Sequence, residues 1–539
     1  MVVKISKNVI IALLIIGIIS FGLKMYFVDF TIPVQYDNFD YTLRGIAHSE
    51  GDFSQSPKKM SGWPIFVSPF FLLIDSDNFL DYSNTLRLLG MSVSTLTIIP
   101  MYALSRKFFD QKYSVVAASL FAFQPHLNYN ASFGFAEPLY ILMIILSFLF
   151  IIQNKEKFSY IAFAFAGFTW WIRIEGIIIF FAVSIIYLIN FKKTSWHFPK
   201  YGLCLIVFLL VISPILIMRD IQYEDPLYFY WTNISNYDDY YFADISEGST
   251  ASDYIDETET SDFIFNFLTN GIYNVFFNIS RILFPYLILL LPFGIIFSLR
   301  PVKQESDLIK ANWVFIATSI GFLILLLAII PERRYLFFLF PFFIIFSVIP
   351  IQRLVDNGLS TFSFSQKQKK IVLLGIVCIV ILLSGLFSLR FEKLDGEEEV
   401  EKIEFAKFLV HNLDGNILGG TESRHIDFVK LTETSGSFKN YRIDKSEEPG
   451  EGFPYTTGNR LYILKGETID DLLLYGKDNN VKFLIVKESN SNYEFLDVIY
   501  SNSEEYLFLK QVFDSEIENY TKLKLKVFEI KYENYFPLK

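Results

Sequence analysis

FSYIAFAFAGFTWWIRIEGIIIFFAVSIIYLIN, residues 158–190, is the stretch on which the architecture turns. A single membrane helix needs only about 20 apolar residues to cross a hydrocarbon core of about 30 Å, so this run is too long for one ordinary span. Near its middle it is broken by Arg173 and Glu175, side chains that are costly to hold in lipid. Read as two short helices meeting at Arg173, it keeps every later loop in phase with the distribution of basic residues. Read as one helix, it would invert them all.

Working outward, apolar runs of spanning length recur from Asn8 to Arg390. They are Asn8–Phe27, Leu86–Leu104, Tyr113–Leu127, Phe133–Ile152, the split pair, Tyr201–Met218, Ile282–Leu299, Asn312–Ile330, Tyr335–Ile351 and Ile371–Leu389, about eleven spans in all. The first follows Lys4 and Lys7, but it exceeds a signal-peptide core and lacks a small-residue cleavage pattern, so it reads as a retained helix. One set of loops carries Lys4, Lys7, Arg106, Lys107, Lys112, Lys155, Lys157, Lys200 and Arg353, while the other set is much poorer in Lys and Arg. The positive-inside rule then puts the N-terminus in the cytoplasm and the tail outside the cell membrane.

The composition agrees with this picture. With 52% hydrophobic and only 19% charged residues, the chain has more apolar mass than a water-soluble protein of its size hides easily. A formal charge of −10 argues against a nucleic-acid partner, which a protein normally meets with a basic face. Both cysteines, Cys204 and Cys378, lie in apolar runs, which excludes a disulfide framework.

Three outer segments stand out. The first loop, residues 28–85, holds Tyr36-Asp37-Asn38-Phe39-Asp40-Tyr41 and an apolar stretch from Gly62 to Ile74 that is too short to span and reads as an interfacial helix. The second, residues 219–280, carries twelve acids between Asp220 and Asp262 among ten aromatics, and reads as a solvated cover. The third is the tail, residues 391–539. Its helical period from Val400 and its strand-like runs at Arg460, Val481–Val486 and Leu523–Ile530 predict a small soluble α/β domain. Asn130, Asn233, Asn278 and Asn519 open Asn-x-Ser/Thr triplets on the outer side.

Ionisable residues at the outer edge of apolar sequence are the first candidates for chemistry. Asp37 and Asp40 follow the first helix, Glu137 opens another, Arg173 and Glu175 mark the break, and Glu332-Arg333-Arg334 fills a tight turn before Tyr335. Carboxylates there suit a general base, and arginines suit a phosphate leaving group that they grip in pairs. Each has a plainer alternative. Asp37 and Asp40 suit a loop or cap, and Glu137 suits a helix dipole. Arg173 with Glu175 suits a structural ion pair, and Arg333 and Arg334 suit headgroup anchors. His126, beside Pro125, reads as structural.

At these residues the chain resembles the GT-C glycosyltransferases, in the branch of protein mannosyltransferases and lipid A aminoarabinose transferases. Asp37-Asn38-Phe39-Asp40-Tyr41-Thr42-Leu43-Arg44 with the later Gly62-Trp63-Pro64 is similar to that branch's first outer loop, although Asn38 replaces the usual second acid. Ala136-Glu137-Pro138-Leu139 resembles its Thr-Glu-Pro-Leu. Trp171-Ile172-Arg173-Ile174-Glu175-Gly176 resembles its Thr-Arg-Pro-Glu-Gly, with Ile174 in place of Pro. Glu332-Arg333-Arg334-Tyr335-Leu336 resembles its late Arg-Tyr-Leu. The likeness covers roughly Asn8 to Ile351.

The resemblance implies a mainly α, polytopic GT-C bundle over residues 1–390. It also implies an inverting transfer of sugar from a polyprenyl-phosphate donor to an external protein, lipid or surface-glycan acceptor. Asp37 would be the general base, Glu137 and Asp40 its catalytic companions, and Arg173 and Arg334 the donor-phosphate ligands; the resemblance puts Arg334 rather than Arg333 at the family position, and Arg333 stays a donor-binding candidate from its place in the turn. It leaves a divalent cation open, and no His/Cys cluster demands one. Trp170-Trp171 does not continue into the Trp-Trp-Asp-Tyr-Gly motif of oligosaccharyltransferases, which disfavours that variant. A transporter of lipid-linked sugars would need charges near the midplane and two related halves, and a receptor or scaffold would place its function in the tail.

Overall fold

The computed structural model describes residues 6–34, 37–54, 59–74, 76–191, 197–227, 260–299, 306–362, 364–391, 396–419, 423–430, 453–456, 459–462, 464–466, 468–489 and 493–535. Most of the acidic loop, including Tyr230, Trp231, Asn233, Asp238 and Asp239, lies outside these residues. The chain divides into two compact units. One comprises Met1–Val28, Asp40–Ile74 and Ser83–Glu392; the other comprises Asp29–Phe39, Asp75–Tyr82 and Lys393–Lys539.

The first unit is a helical bundle: α1 (Lys7–Met25), α2 (Asp37–Ser49, most of it here), α3 (Gly62–Phe71), α4 (Phe79–Leu96), α5 (Ile98–Phe108), α6 (Gln111–Ala122), α7 (Pro125–Ser132), α8 (Glu137–Ile151), α9 (Glu156–Ile172), α10 (Gly176–Phe191), α11 (His197–Tyr223), α12 (Thr260–Ile282), α13 (Leu287–Ser298), α14 (Ser306–Ile329), α15 (Phe340–Arg353) and α16 (Gln366–Ser388). Among the described residues, six helical segments are long and apolar enough to cross a membrane. The pair α12 and α13, bent by 115°, makes a seventh, and α8 and α10 are shorter apolar helices.

The break at Arg173 is present. Helix α9 stops where Arg173 turns extended, and α10 restarts at Gly176. A side chain at 176 would fall 2.3 Å from the Trp170 nitrogen, so only glycine lets the two helix ends meet there. The apolar stretch from Gly62 forms α3 as expected, but Trp63, Val67 and Phe71 are buried, and Trp63 Nε1 donates to the Gly134 carbonyl at 2.9 Å. Part of the expected second loop is a helix instead. In α12, Asn270, Asn274 and Asn278 recur every fourth residue and donate to the carbonyls of Ala328, Leu327 and Pro331 at the end of α14. Those carbonyls lack intrahelical partners, so the polar stripe that made residues 260–280 look like a loop is a helix-packing device.

Ion pairs separate the two ends of the bundle. At one end Lys112 meets Asp356 at 3.0 Å, Lys200 meets Glu156 at 2.6 Å, and Arg353 donates to the Phe297 carbonyl at 3.0 Å. At the other end are the start of α8, the α9–α10 break and the end of α16.

The second unit has a six-stranded sheet in the order β2-β3-β1-β4-β6-β5. The strands are β1 (Asn416–Leu418), β2 (Phe453–Thr456), β3 (Asn459–Tyr462), β4 (Val481–Lys487), β5 (Leu509–Asp514) and β6 (Leu525–Ile530). β1 runs parallel to β3 and β4, and the other pairs are antiparallel. Period-two alternation sends Ile417, Phe483 and Ile485 to one face, under α17 (Gly396–Asn412) and α18 (Ser423–Val429). Leu418, Leu484 and Val486 go to the other, under α19 (Ile469–Asp478) and α20 (Glu494–Ser501). Burial on both faces is why residues 481–486 read as a nearly continuous apolar run. Phe39 packs against Phe79 at 5.0 Å, and Phe79 meets Phe428 of α18 at 6.1 Å, so pieces of the first loop belong to this unit.

Candidate active site

Within the bundle, three of the candidate residues come together. Arg173 Nη1 makes a short ion pair with Glu137, and its Nε donates to Glu175 Oε1 at 2.9 Å. Glu137 is 1% exposed, Glu175 3% and Arg173 8%. The guanidinium also sits 5.0 Å from the centroid of the Tyr335 ring. Two carboxylates against one guanidinium leave the buried triad one negative charge, and Glu137 Oε2 and Glu175 Oε2 have no hydrogen-bond partner among the described residues. Arg173 and Glu175 thus form an ion pair, and Glu137 shares it.

Tyr335 belongs to a 3-10 turn, Arg333–Leu339, whose first two residues are Arg333 and Arg334. Arg334 pairs with Glu332 and lies 5.6 Å from the Phe135 ring centroid. This turn forms one wall of a cavity of about 1030 Å³. Its other walls come from α7, the end of α12 and the end of α16. Four arginines line it: Arg281, Arg333, Arg334 and Arg390. The apolar lining is aromatic, with Tyr129, Phe135, Phe284, Phe337, Phe387 and Phe391. Arg281 is stacked 4.0 Å from the Phe277 centroid and Arg390 lies 5.6 Å from that of Phe387. Arg281, Arg333 and Arg390 make no ion pair among the described residues. Cationic groups beside ring faces can hold a phosphate while the rings cover an apolar chain.

Asp40 lies in a different group. It is buried and pairs with Arg44 at 3.0 Å and Lys59 at 3.3 Å, while Arg44 also donates to the Met60 carbonyl at 3.0 Å. These contacts fasten α2 to the chain before α3. Asp37 is the half-buried first residue of α2 and falls in the second unit. Among the described residues no cluster of three His, Cys, Asp or Glu side chains is arranged to hold a metal ion. Asn130 and Asn278, expected as outward sequons, are each only 6% exposed in the cavity wall, whereas Asn519 is exposed. Sequence reasoning missed Arg281 and Arg390. The available signal was a basic residue on the side otherwise poor in them.

Residues 67–218 match the family described as dolichyl-phosphate-mannose-protein mannosyltransferase. The fold is similar to the Archaeoglobus fulgidus oligosaccharyltransferase AglB in complex with an inhibitory peptide and a dolichol-phosphate. There the TM-score is 0.52 at 12% identity, over 94% of this chain and 73% of that one. The apo form of the same enzyme gives a TM-score of 0.54 at 12% identity, over 93% and 73%. ArnT from Cupriavidus metallidurans, bound to undecaprenyl phosphate, gives 0.50 at 10% identity, over 97% and 98%. The chain shares the fold of these glycosyltransferases. No curated protein sequence matches it. With this fold and with at least six helices long and apolar enough to cross a membrane it is a multi-pass membrane protein, and the triad and the arginine-lined cavity occupy one end of its bundle.

Proposed function

We propose that this chain transfers a sugar from a polyprenyl-phosphate donor to an acceptor hydroxyl on the extracytoplasmic side of the cell membrane. Its N-terminus would be cytoplasmic and its tail outside. The observation that carries this reading is the cavity in which four guanidiniums stand among six aromatic rings. Its amphiphilic lining suits a phosphate joined to an isoprenoid chain. Similar folds support the donor class, since AglB has been solved with dolichol-phosphate and ArnT with undecaprenyl phosphate. A protein acceptor is supported by the acceptor peptide tethered to the similar Archaeoglobus fulgidus oligosaccharyltransferase in another structure.

In the proposed step the acceptor O–H gives its proton to the Asp37 carboxylate, and the freed oxygen attacks the anomeric carbon. The bond from that carbon to the donor phosphate breaks, its electron pair passing to the phosphate oxygen, with inversion. Arg333 and Arg334 hold the departing phosphate. Arg173, engaged by two carboxylates, keeps Glu137 in place, and Asp40 fixes the helix that Asp37 opens. Charges gathered at one bundle end favour transfer over transport, which would use the midplane.

The test assays Asp37→Asn and Arg334→Ala in membranes against a panel of polyprenyl-phosphate sugars. Removing a general base costs about 10²–10⁴ in rate, so Asp37→Asn should fall at least about 100-fold. Wild-type turnover in both variants would end the proposal.

A further inference from the structure

The Asn-x-Ser/Thr triplets of the chain sit in unequal surroundings. Asn130 and Asn278 are each 6% exposed, and the Asn278 amide donates to the Pro331 carbonyl at 3.4 Å. A bulky saccharide on either nitrogen would have to enter the helical bundle itself. Asn233 lies outside the described residues.

Asn519, followed by Tyr520 and Thr521, stands in the turn that joins β5 to β6, and its neighbours are fastened on both sides. Before it, the Ser515 N–H donates to the Leu525 carbonyl at 3.0 Å and the Glu518 N–H to the Asp514 carbonyl at 3.2 Å. After it, the Tyr520 N–H donates to the Ser515 carbonyl at 2.8 Å, the Tyr520 ring lies 5.9 Å from that of Phe513, and Glu401 holds the next three amides. Between these anchors Asn519 takes a φ of +61°, in the left-handed region that asparagine tolerates better than most residues. An asparagine in that conformation can turn its amide back onto the local backbone. Here the side chain is exposed and makes no hydrogen bond among the described residues.

The same turn supplies a second observation. Ile517, two residues before Asn519, is 71% exposed. A sugar attached at Asn519 would bring its own apolar face over that side chain and take it from water.

We infer that Asn519 is a site of N-linked glycosylation, which makes this chain the acceptor of a separate enzyme that reads Asn-x-Ser/Thr. The inference rests on the proposed reading in which the tail lies outside the membrane. In the step, Asn519 Nδ2 forms a bond to the anomeric carbon of a lipid-carried saccharide. The bond from that carbon to the carrier's phosphate oxygen breaks, its electron pair passing to that oxygen, and Nδ2 gives up one proton. The Thr521 hydroxyl donates to Glu401 at 3.1 Å once the turn is closed, so the transfer precedes that closure.

The test is peptide mapping by mass spectrometry of the full-length protein purified from the membranes of its own cells. The peptide holding Asn519 should carry added saccharide mass, and those holding Asn130 and Asn278 should not. Asn519→Gln and Thr521→Ala should each abolish the addition, whereas Thr521→Ser should keep it. In parallel, Glu518→Cys in the Asn519→Gln chain is exposed to a membrane-impermeant maleimide on intact cells. Labelling from outside together with a bare Asn519 in the native chain overturns the inference and leaves the transferase reading standing. Failure to label from outside overturns both the inference and the proposed placement of the tail.

Discussion

Two groups of arginines at the same end of the bundle live under opposite rules. Arg173 is closed in by Glu137, Glu175 and the face of Tyr335, whereas Arg281, Arg333 and Arg390 border an open cavity with rings for neighbours and make no ion pair among the described residues. The first arrangement balances most of its charge within the protein; the second does not among the described residues. Charge at the membrane edge is therefore a poor guide to role until its partner is known.

The sharpest way to break that contrast is Arg173→Ala. It strands two buried carboxylates, and losing one partner of a buried ion pair costs about 3–5 kcal/mol, so the variant should lose most of its thermal stability or fail to accumulate. Glu137→Gln is the companion measurement. It removes the surplus negative charge and keeps Arg173 paired with Glu175, so its melting temperature should match wild type while turnover falls. A stable Arg173→Ala would refute the division.

Arg333→Ala should behave in the reverse manner. Its stability should stay within about 0.5 kcal/mol of wild type, the usual span for changes away from packed features. Binding of a polyprenyl phosphate should weaken by about 1.5–3 kcal/mol, the worth of a hydrogen bond to a charged group. Titration of the lipid into the purified variant measures this, and unchanged affinity would return Arg333 to the role of a headgroup anchor.

The smallest expected effect sharpens the comparison from the second unit, where a carboxylate is satisfied by backbone alone. Glu401 accepts from the amides of Thr521, Lys522 and Leu523 at 2.6, 2.9 and 2.7 Å. Burial pushes its carboxyl up, but these donors outweigh burial and hold it below the ordinary carboxylate value. A lowered folded value contributes stability that is present above the unfolded pKa of about 4.3 and lost as pH falls through the folded value. Hydrogen exchange at residues 521–523 should therefore stay slow down to about pH 4.3 and quicken below it. Glu401→Gln should cost about 1 kcal/mol and flatten that dependence.

The bundle and its central break were legible in the sequence because a long apolar run is costly anywhere but in lipid, and a charged interruption marks where a helix must end. The strands at Arg460, Val481 and Leu525 were equally plain, since each shows β-branched and aromatic residues at the right spacing. β1 has only three residues, too few for any period to show. Helix α12 was hidden because its asparagines lower the apolar signal, and their use as donors to a neighbouring helix end is a tertiary fact. In the site, the residues that interrupt apolar sequence were found, but which carboxylate holds which arginine was not. Arg281 and Arg390 escaped because each sits at a helix end, where a basic residue is locally expected as a complement to the dipole.

The asparagine stripe of α12 also works as a ruler. By gripping the end of α14 at every fourth position it indexes the rotation of the helix, and Arg281, three residues past Asn278, inherits its bearing from that index. Inserting one residue between the two would swing the guanidinium by about 100° around the axis, away from its place in the cavity wall, while leaving every other lining side chain unchanged in identity.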